Sequence, residues 1–272
     1  MSDRADMPIG VFDSGVGGLT VLHECLVSLP AENFLYLGDS GNFPYGTKSA
    51  DELRVRAKVV AGELLERGVK MLVIACNSAT AAAGDEIREL GANAGVPVVT
   101  VVGPEAEIAA SISANGRVGV LATPATVEGG AYRQALDALG RPLTVTEVAA
   151  PDLAPIIQGG PTFDEAVLDT VRGYCEPLRE AGVDTLILGC THYPLVAPML
   201  QRMLGRDVSL VTAGHAIAAA IQRELAGRGE LVSGREEGDY RFLVTGEVEA
   251  FAELGTRFLQ LPLAGRAERV EL

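Results

Sequence analysis

The sequence has few cysteines and no long apolar run. Four cysteines stand among 272 residues, at positions 25, 76, 175 and 190, so no two have the C-x-x-C spacing. That spacing is typical of zinc sites and redox dithiols, and its absence argues against both. No apolar run approaches the roughly 18 residues that cross a bilayer, and the first seven residues lack the apolar segment of a signal peptide. We therefore expect a cytoplasmic protein with no membrane partner and with free thiols.

Positive charge is also scarce. The chain has 22 basic against 36 acidic residues, a formal net charge of −14, and its basic residues are scattered along the sequence. Because an acidic surface repels the phosphate backbone, we expect no nucleic-acid partner. The 48% hydrophobic share is that of a folded globular protein and excludes general disorder. The length fits one or two domains.

Short apolar runs alternate with longer amphipathic segments along most of the chain. Continuous apolar strands separated by helices predict parallel sheets that are covered on both faces. Six helices are predicted. Three of them span about 50–67, 163–181 and 216–226. Of the other three, one ends near Leu29, one ends near Leu90 and one follows the TLILGC strand. The predicted strands are PIGVF, NFLYLGD, MLVIAC and VPVVTVV in a first series, GRVGVLAT, LTVTEVAA, TLILGC and VSLVTA in a second, and a late YRFLVTG.

Two turn signals divide these series, one near 102–104 and the other near 212–214. They predict one domain inserted into another, with residues 1–102 plus 212–272 forming the first and residues 103–211 the second. The predicted fold class is α/β, with two similar domains that are each a mostly parallel sheet flanked by helices. We expect the functional site in the cleft between them.

An internal repeat supports two similar domains. Residues 68–77 align without gaps to residues 182–191, 114 positions later, so two equivalent strands each end in a cysteine, Cys76 and Cys190. A weaker match sets residues 9–14 beside residues 118–123, and these strands end in the small polar residues Ser14 and Thr123. Each half of the chain therefore begins with a similar strand, and each half also contains a later strand that ends in a cysteine.

The repeat places both thiols where parallel sheets bind ligands, beyond the carboxyl ends of the strands. If the two domains face each other, Cys76 and Cys190 meet across the cleft. Each cysteine also precedes a predicted helix, whose unpaired N–H groups and dipole would favour a thiolate. Cys25 and Cys175 lie inside predicted helices instead, where a buried cysteine acts as a small apolar residue.

Two thiols that face one small ligand fit three chemistries. These are a dithiol redox couple, a thiol nucleophile with a helper, and an acid/base pair on opposite faces of one carbon atom. The missing C-x-x-C spacing argues against the first. The acid/base pair fits the symmetry of the two repeated strands best, because a base on one face of the carbon and an acid on the other invert a stereocentre.

Four motifs in one order carry a resemblance to a known family. They are PIGVFDSGVGGLT at 8–20, GD at 38–39 with PYG at 44–46, ACNSA at 75–79 and LGCTHYP at 188–194. Together they closely resemble the glutamate racemases, a family of the cofactor-independent aspartate/glutamate racemase superfamily. The motifs cover residues 8–194, and the remaining tail has a compatible pattern.

The resemblance implies interconversion of L- and D-glutamate, without pyridoxal phosphate or metal, to supply D-glutamate for peptidoglycan. It also implies that Cys76 acts on the D enantiomer and Cys190 on the L enantiomer, commonly in a homodimer. The rival activities are aspartate racemase and hydantoin racemase. A binding or regulatory module with inert thiols is the rival of a different class, but such a module would tolerate the loss of one cysteine and this chain keeps both.

The predicted site residues derive from these motifs and from their chemistry. Asp13 offers a carboxylate to the substrate ammonium. Tyr45 and Gly46 match a loop that, in the family, holds the γ-carboxylate of the substrate. The glycines after Ser14 indicate a turn and do not form a dinucleotide-binding G-x-G-x-x-G. The predicted catalytic residues are Cys76, Cys190, Asp13 and His192, and the predicted substrate-binding residues are Asp13, Ser14, Tyr45, Gly46, Asn77, Ser78, Thr123, Thr191 and His192.

His192 is expected to tune the adjacent Cys190 thiol or to assist proton transfer. Asp13 is expected to play the corresponding part for Cys76, with Asp39 as a less direct contributor. In two places the chain departs from the family. Gln158 replaces a glutamate that comes after an apolar stretch and that the resemblance assigns to the Cys190 side, and Thr212 replaces an acid of a later segment. Both losses predict a changed pH optimum or changed relative rates in the two directions.

Overall fold

The computed structural model describes residues 4–160, 164–263 and 265–272, and these form two parallel sheets flanked by helices. The first sheet has the strand order β10-β9-β2-β1-β3-β4. Its strands are β1 (Ile9–Asp13), β2 (Phe34–Gly38), β3 (Met71–Ile74), β4 (Val98–Thr100), β9 (Tyr240–Val244) and β10 (Ala267–Arg269). All five residues of β1 are buried, as expected for a central strand covered on both faces.

The second sheet has the strand order β6-β5-β7-β8. Its strands are β5 (Arg117–Ala122), β6 (Thr144–Ala149), β7 (Thr185–Gly189) and β8 (Ser209–Val211). The predicted fold class is therefore confirmed. The exact domain limits stay a prediction.

Eleven α-helices connect the strands of the described residues. They are α1 (Leu19–Ser28), α2 (Ala50–Glu66), α3 (Asn77–Asn93), α4 (Val102–Ile112), α5 (Pro124–Glu128), α6 (Ala131–Ala138), α7 (Leu153–Gly159), α8 (Glu165–Glu180), α9 (Ala197–Leu204), α10 (Ala213–Arg228) and α11 (Val248–Leu259). A capping box starts α2, where Ser49 and Glu52 satisfy each other's backbone N–H groups. No helix of the described ranges combines the length and apolar composition that a membrane crossing requires.

The two sheets repeat one arrangement, in agreement with the sequence repeat. In each sheet the first strand of the series lies between the second and the third, and the fourth lies beside the third. Ile9 pairs with Met71 in the first sheet, and the positions that the repeat aligns with them, Val118 and Thr185, pair in the second. The repeat therefore preserves strand register, and it brings the ends of β3 and β7 to equivalent places.

The apolar core is continuous across both sheets. One cluster contains Val11 and Val73 from the first sheet together with Val120 and Ile187 from the second. A second cluster fills the space between the other face of the first sheet and the helices α2 and α3. The two halves are thus packed against each other beneath the strand ends.

Several boundaries differ from the sequence-based expectations. The segment read as a turn at 102–104 is the first turn of α4, because a proline is tolerated in the first turn of a helix, where backbone N–H groups have no partner. The predicted boundary at 212–214 likewise contains the start of α10. The helix predicted over 163–181 is α8, which starts at Glu165; Phe163 lies outside the described residues.

Candidate active site

The two thiols of the repeat line the same cavity, which has a volume of about 20 Å³. Cys190 directly follows β7 and Cys76 follows β3 by two residues, so the two sheets contribute one thiol each. Both cysteines are nearly buried, with exposed fractions of 8% and 5%. The remaining lining residues are Ser14, Phe43, Pro44, Tyr45, Gly46, Thr47, Asn77, Ser78, Thr123, Pro151, Ala154, Pro155, Thr191 and His192.

Cys76 is the N-cap residue of α3. Its Sγ accepts a hydrogen bond from the backbone N–H of Ala79 at 3.4 Å, and the hydroxyl and N–H of Ser14 also bond to it. The helix start was predicted, and the backbone N–H of Ala79 favours the thiolate in the expected direction. Burial, followed by the nearby Asp13 carboxyl, raises the thiol pKa to about 12 and outweighs these donors.

Cys190 differs from Cys76 in the segment that comes after it. The predicted helix does not start there: a short 3₁₀ turn spans Tyr193–Val196, and α9 starts only at Ala197. The proline at position 194 and the 3₁₀ turn delay the α-helix, so Cys190 lies at no α-helix N-terminus. Burial raises the pKa of this thiol above its ordinary value, although the backbone N–H of His192 acts in the opposite direction. The prediction that a helix favours the Cys190 thiolate is therefore wrong.

His192 lies between the Cys190 thiol and Gln158. Its Nδ1 is 3.9 Å from Sγ of Cys190, and its Nε2 is 3.0 Å from Oε1 of Gln158. Because an amide oxygen only accepts, Nε2 carries the hydrogen and the Nδ1 lone pair faces the thiol. The rings of Phe43 and Phe258 pack on the imidazole at centroid distances of 5.4 and 5.2 Å. Burial lowers the histidine pKa to about 3, so the ring is neutral.

Asp13 lies beneath the cavity and does not line it. The carboxyl group is fully buried and accepts hydrogen bonds from the backbone N–H of Gly15 at 3.0 Å and from the Thr191 hydroxyl at 3.2 Å. Burial raises its pKa above the ordinary value. Its charge acts on both Cys76 and Cys190. Asp13 thus connects the ends of β1 and β7.

Asp39 holds the loop that carries Tyr45. The Tyr45 hydroxyl donates to Oδ2 at 2.5 Å, Arg56 donates at 2.7 and 2.6 Å, and the Thr245 hydroxyl donates at 2.6 Å. Burial acts to raise the pKa of this carboxyl, but the hydrogen bonds from Arg56, Thr245 and Tyr45 hold it below the ordinary value. Asp39 is therefore a charged anchor for Tyr45, which lines the cavity.

Hydroxyl groups join the two halves at the other side of the cavity. The Ser78 hydroxyl lies 2.8 Å from that of Thr123, which caps α5 and lies 3.0 Å from the Thr126 hydroxyl. The carbonyl of Gly46 accepts a hydrogen bond from Ala125 N at 3.0 Å. Any Cβ at Gly46 would come within 2.7 Å of the Thr123 side chain, so only glycine permits this contact.

The glycine-rich segment after β1 allows close packing as well as a turn. An added Cβ at Gly17 would lie far closer than 3 Å to the Thr191 hydroxyl and to Nδ1 of His192. Gly17 therefore lets the segment after β1 of one sheet approach residues 190–192, which follow β7 of the other. The sequence-based interpretation as a simple turn missed this packing role.

The structure also places two residues near the site that the sequence analysis did not identify. Glu105 and Tyr132 are fully buried and bond to each other and to Asn77. The available signal was helical spacing, because Glu105 shares the buried face of α4 with Val102 and Ala109. The turn interpretation of that segment hid the signal. Within the described residues, no group of three or more histidine, cysteine, aspartate or glutamate side chains could hold a metal ion.

Comparison with known proteins identifies the family. The Asp/Glu/hydantoin racemase family profile matches residues 14–221. The glutamate racemase of Mycobacterium leprae is 44% identical over 261 residues, which cover 95% of this chain and 94% of that protein.

Solved structures of similar proteins agree with this. A glutamate racemase isoform of Bacillus anthracis superposes with a TM-score of 0.90 at 34% identity, covering 98% of both chains. The glutamate racemase of Francisella tularensis, solved in complex with D-glutamate, superposes with a TM-score of 0.91 at 31% identity, again covering 98% of both chains. The chain therefore belongs to the Asp/Glu/hydantoin racemase family.

Proposed function

We propose that this protein interconverts L- and D-glutamate, with Cys76 and Cys190 acting as the two bases. The observation that carries the proposal is the pair of buried thiols at equivalent strand ends of two repeated sheets, both lining one cavity. The names of the relatives favour glutamate as the substrate, and the Francisella tularensis relative was solved with D-glutamate. Supply of D-glutamate for peptidoglycan is the corresponding cellular role.

The reaction needs one thiolate and one thiol. With L-glutamate bound, the Cys190 thiolate removes the proton from Cα, and the thiol of Cys76 delivers its own proton to the opposite face. The product is D-glutamate, and the enzyme is left with a Cys190 thiol and a Cys76 thiolate. The reverse reaction starts from that state. A raised pKa makes each thiolate a stronger base towards a weakly acidic Cα–H bond, at the expense of a smaller ionised fraction.

The other predicted residues bind different parts of the substrate. Asp13 compensates the α-ammonium from beneath the cavity, with Ser14, Asn77 and Thr191 around the reacting carbon. Tyr45 and Gly46, together with the hydroxyls of Ser78 and Thr123, hold the carboxylates. The resulting set of substrate-binding residues is Asp13, Ser14, Tyr45, Gly46, Asn77, Ser78, Thr123, Thr191 and His192.

The cavity between the two thiols is narrow, with a volume of about 20 Å³. It shares Asn77, Cys190 and Thr191 with a second cavity of about 120 Å³. We infer that the two halves, residues 1–102 plus 212–272 and residues 103–211, separate to admit glutamate and then close. Closure excludes water from the thiols, which strengthens electrostatic interactions in the site. A homodimer and a cytoplasmic location stay predictions.

Circular dichroism of glutamate tests the proposal. Purified protein treated with a chelator and dialysed should remove the optical signal of L-glutamate without added cofactor, while L-aspartate and a hydantoin stay unchanged under the same conditions. Cys76→Ala and Cys190→Ala should each lower turnover by at least about 10²-fold, because each removes one acid/base group. Cys25→Ala is the matched control, since Cys25 is buried inside α1 away from the strand ends.

Three results would contradict the proposal. One is activity that returns only with pyridoxal phosphate, and another is faster inversion of aspartate than of glutamate. The third is near-normal inversion by either of the two strand-end cysteine variants.

A further inference from the structure

A buried carboxyl group lies behind the site and is not used by the reaction described above. Glu105, on α4, has no exposed surface. Its Oε2 accepts hydrogen bonds from the Tyr132 hydroxyl and, at 3.3 Å, from Nδ2 of Asn77. Burial raises the carboxyl pKa to about 8 despite these two donors. A buried carboxyl group is costly unless it is hydrogen-bonded, and one of the two donors to Glu105, Asn77, lines the cavity with both thiols.

The three side chains belong to three different helices. Asn77 is the first residue of α3 and directly follows Cys76, whereas Tyr132 belongs to α6 beside the second sheet. Nδ2 of Asn77 also donates to the Tyr132 hydroxyl at 2.6 Å. The NH₂ end of the Asn77 amide is therefore held by two neighbouring acceptors, which Glu105 and Tyr132 provide.

This arrangement determines which end of the Asn77 amide remains available. Its Oδ1 is buried and has no hydrogen-bond partner among the described residues, and Asn77 itself lines the cavity with both thiols. A buried acceptor without a partner is costly unless a ligand supplies a donor. The only cationic donor of glutamate, the proposed substrate, is its α-ammonium group.

We propose that Glu105 is a positioning residue of the racemase site, which together with Tyr132 orients the Asn77 amide so that Oδ1 receives the substrate's α-ammonium. If Glu105 were absent, the amide could rotate by half a turn and present its NH₂ group to the ammonium instead, which is repulsive. The groups that face Glu105 are Tyr132 on α6, Asn77 on α3 and, through its charge, the Cys190 thiol after β7. Oε2 can accept both hydrogen bonds in either protonation state of the carboxyl, so the positioning does not depend on ionisation.

The inference rests on the proposed function, and a double-mutant cycle tests it. Glu105→Leu should raise KM for both glutamate enantiomers by about 10-fold or more, since the ammonium loses a charge-assisted hydrogen bond, with a smaller change in kcat. Glu105→Gln, which retains an acceptor oxygen, should recover most of this loss. Glu107→Leu, at an exposed position of the same helix, is the matched control. In an Asn77→Ala background, Glu105→Leu should have no further effect on KM.

Calorimetric binding of D-glutamate gives a second readout that does not depend on turnover. It should show the same pattern of weakened affinity, and thermal melting checks that each variant is folded. An unchanged KM and affinity in folded Glu105→Leu would overturn the inference, as would an equal loss in the Asn77→Ala background. If the wild type bound D-glutamate without racemising it, the proposed function would fail and the affinity pattern would still decide the role of Glu105.

Discussion

His192 is neutral because it is buried, and its Nε2 partner is an uncharged amide. Gln158 accepts the hydrogen on Nε2 without carrying a charge, and burial holds the imidazole pKa near 3. A carboxylate at this position would stabilise the imidazolium form, as a nearby opposite charge favours the charged state of a base. The imidazolium would in turn favour the Cys190 thiolate, 3.9 Å from Nδ1.

Gln158→Glu should therefore raise the pKa of His192 and move the rise of kcat/KM with pH to lower pH. Because enantiomers have equal free energies, kcat/KM must shift equally in both directions, although kcat alone can differ. Steady-state rates across pH, with histidine titration followed by NMR, measure both effects. Gln222→Glu, at an exposed position of α10, adds the same charge away from the site and should leave the profile unchanged. An unshifted profile in Gln158→Glu would show that His192 does not control the thiol.

At the residue scale, the features that could be predicted were those that a local sequence pattern marks. The gapless repeat singled out Cys76 and Cys190, and the motif around each identified its neighbours. The contacts of Gln158 with His192 and of Glu105 with Asn77 join residues 34 and 28 positions apart on different elements. Such pairings depend on how the elements pack, and no local pattern encodes them. The predicted helix donor at Cys76 is present, but burial outweighs it and raises the pKa of the thiol.

At the scale of elements, the segment between β1 and α1 is constrained by its neighbour in the other half. Gly17 lies so close to Thr191 and His192 that a methyl group cannot fit without displacing them. Gly62 offers a natural contrast, because it lies inside α2 and an added Cβ would meet no atom within 4 Å.

Gly17→Ala should lower kcat by at least about 10²-fold, because a displacement of about 1 Å near reacting groups has that effect. Gly62→Ala should instead stabilise the protein by about 0.5–1 kcal/mol, since alanine loses less conformational entropy in a helix. Racemase rates and thermal melting of both variants measure these outcomes. Normal turnover in Gly17→Ala would mean that the loop around His192 tolerates movement.

The strands were easier to predict than the helices. β1, β2, β3 and β7 are short apolar runs, and their length of four or five residues favours a strand over a helix. The helices α4, α5, α6, α7 and α11 and the strand β10 were not predicted. A proline at position 104 suggested a turn, and Gly129 and Gly130 divide α5 from α6, with Gly130 in a left-handed conformation. Short helices between glycines give too few residues for a clear period.

At the scale of the whole molecule, the buried Glu105 couples stability to pH. Its folded pKa of about 8 lies above the ordinary value of 4.5, so the fold holds a proton that the unfolded chain has released. The contribution to stability is complete below pH 4.5 and is lost as the pH rises through 8.

Glu105→Gln should remove this contribution. Between pH 5 and pH 9, the free energy of unfolding of the wild type should fall by several kcal/mol more than that of the variant. Urea unfolding at the two pH values measures the difference, with Glu107→Gln as the exposed control on the same helix. Parallel pH dependences of the wild type and Glu105→Gln would contradict a raised carboxyl pKa.

The sequence repeat predicted two similar domains, and the structure gives the corresponding strands of both sheets the same order. The repeat could not predict how closely the two halves approach each other. That approach depends on small residues such as Gly17 and Gly46, which permit contacts with Thr191 and Thr123. Gly46, Thr123 and Thr191 all line the narrow cavity between the thiols.

Isotope incorporation in deuterated water tests the central claim, that two thiols act on opposite faces of Cα. During early turnover of L-glutamate, Cys190 removes the proton and Cys76 supplies a solvent-derived deuteron. Mass spectrometry of the separated enantiomers should therefore find deuterium at Cα of the D-glutamate product, while the remaining L-glutamate stays largely protiated. Equal early labelling of both enantiomer pools would indicate a single shared base and would contradict the two-thiol account.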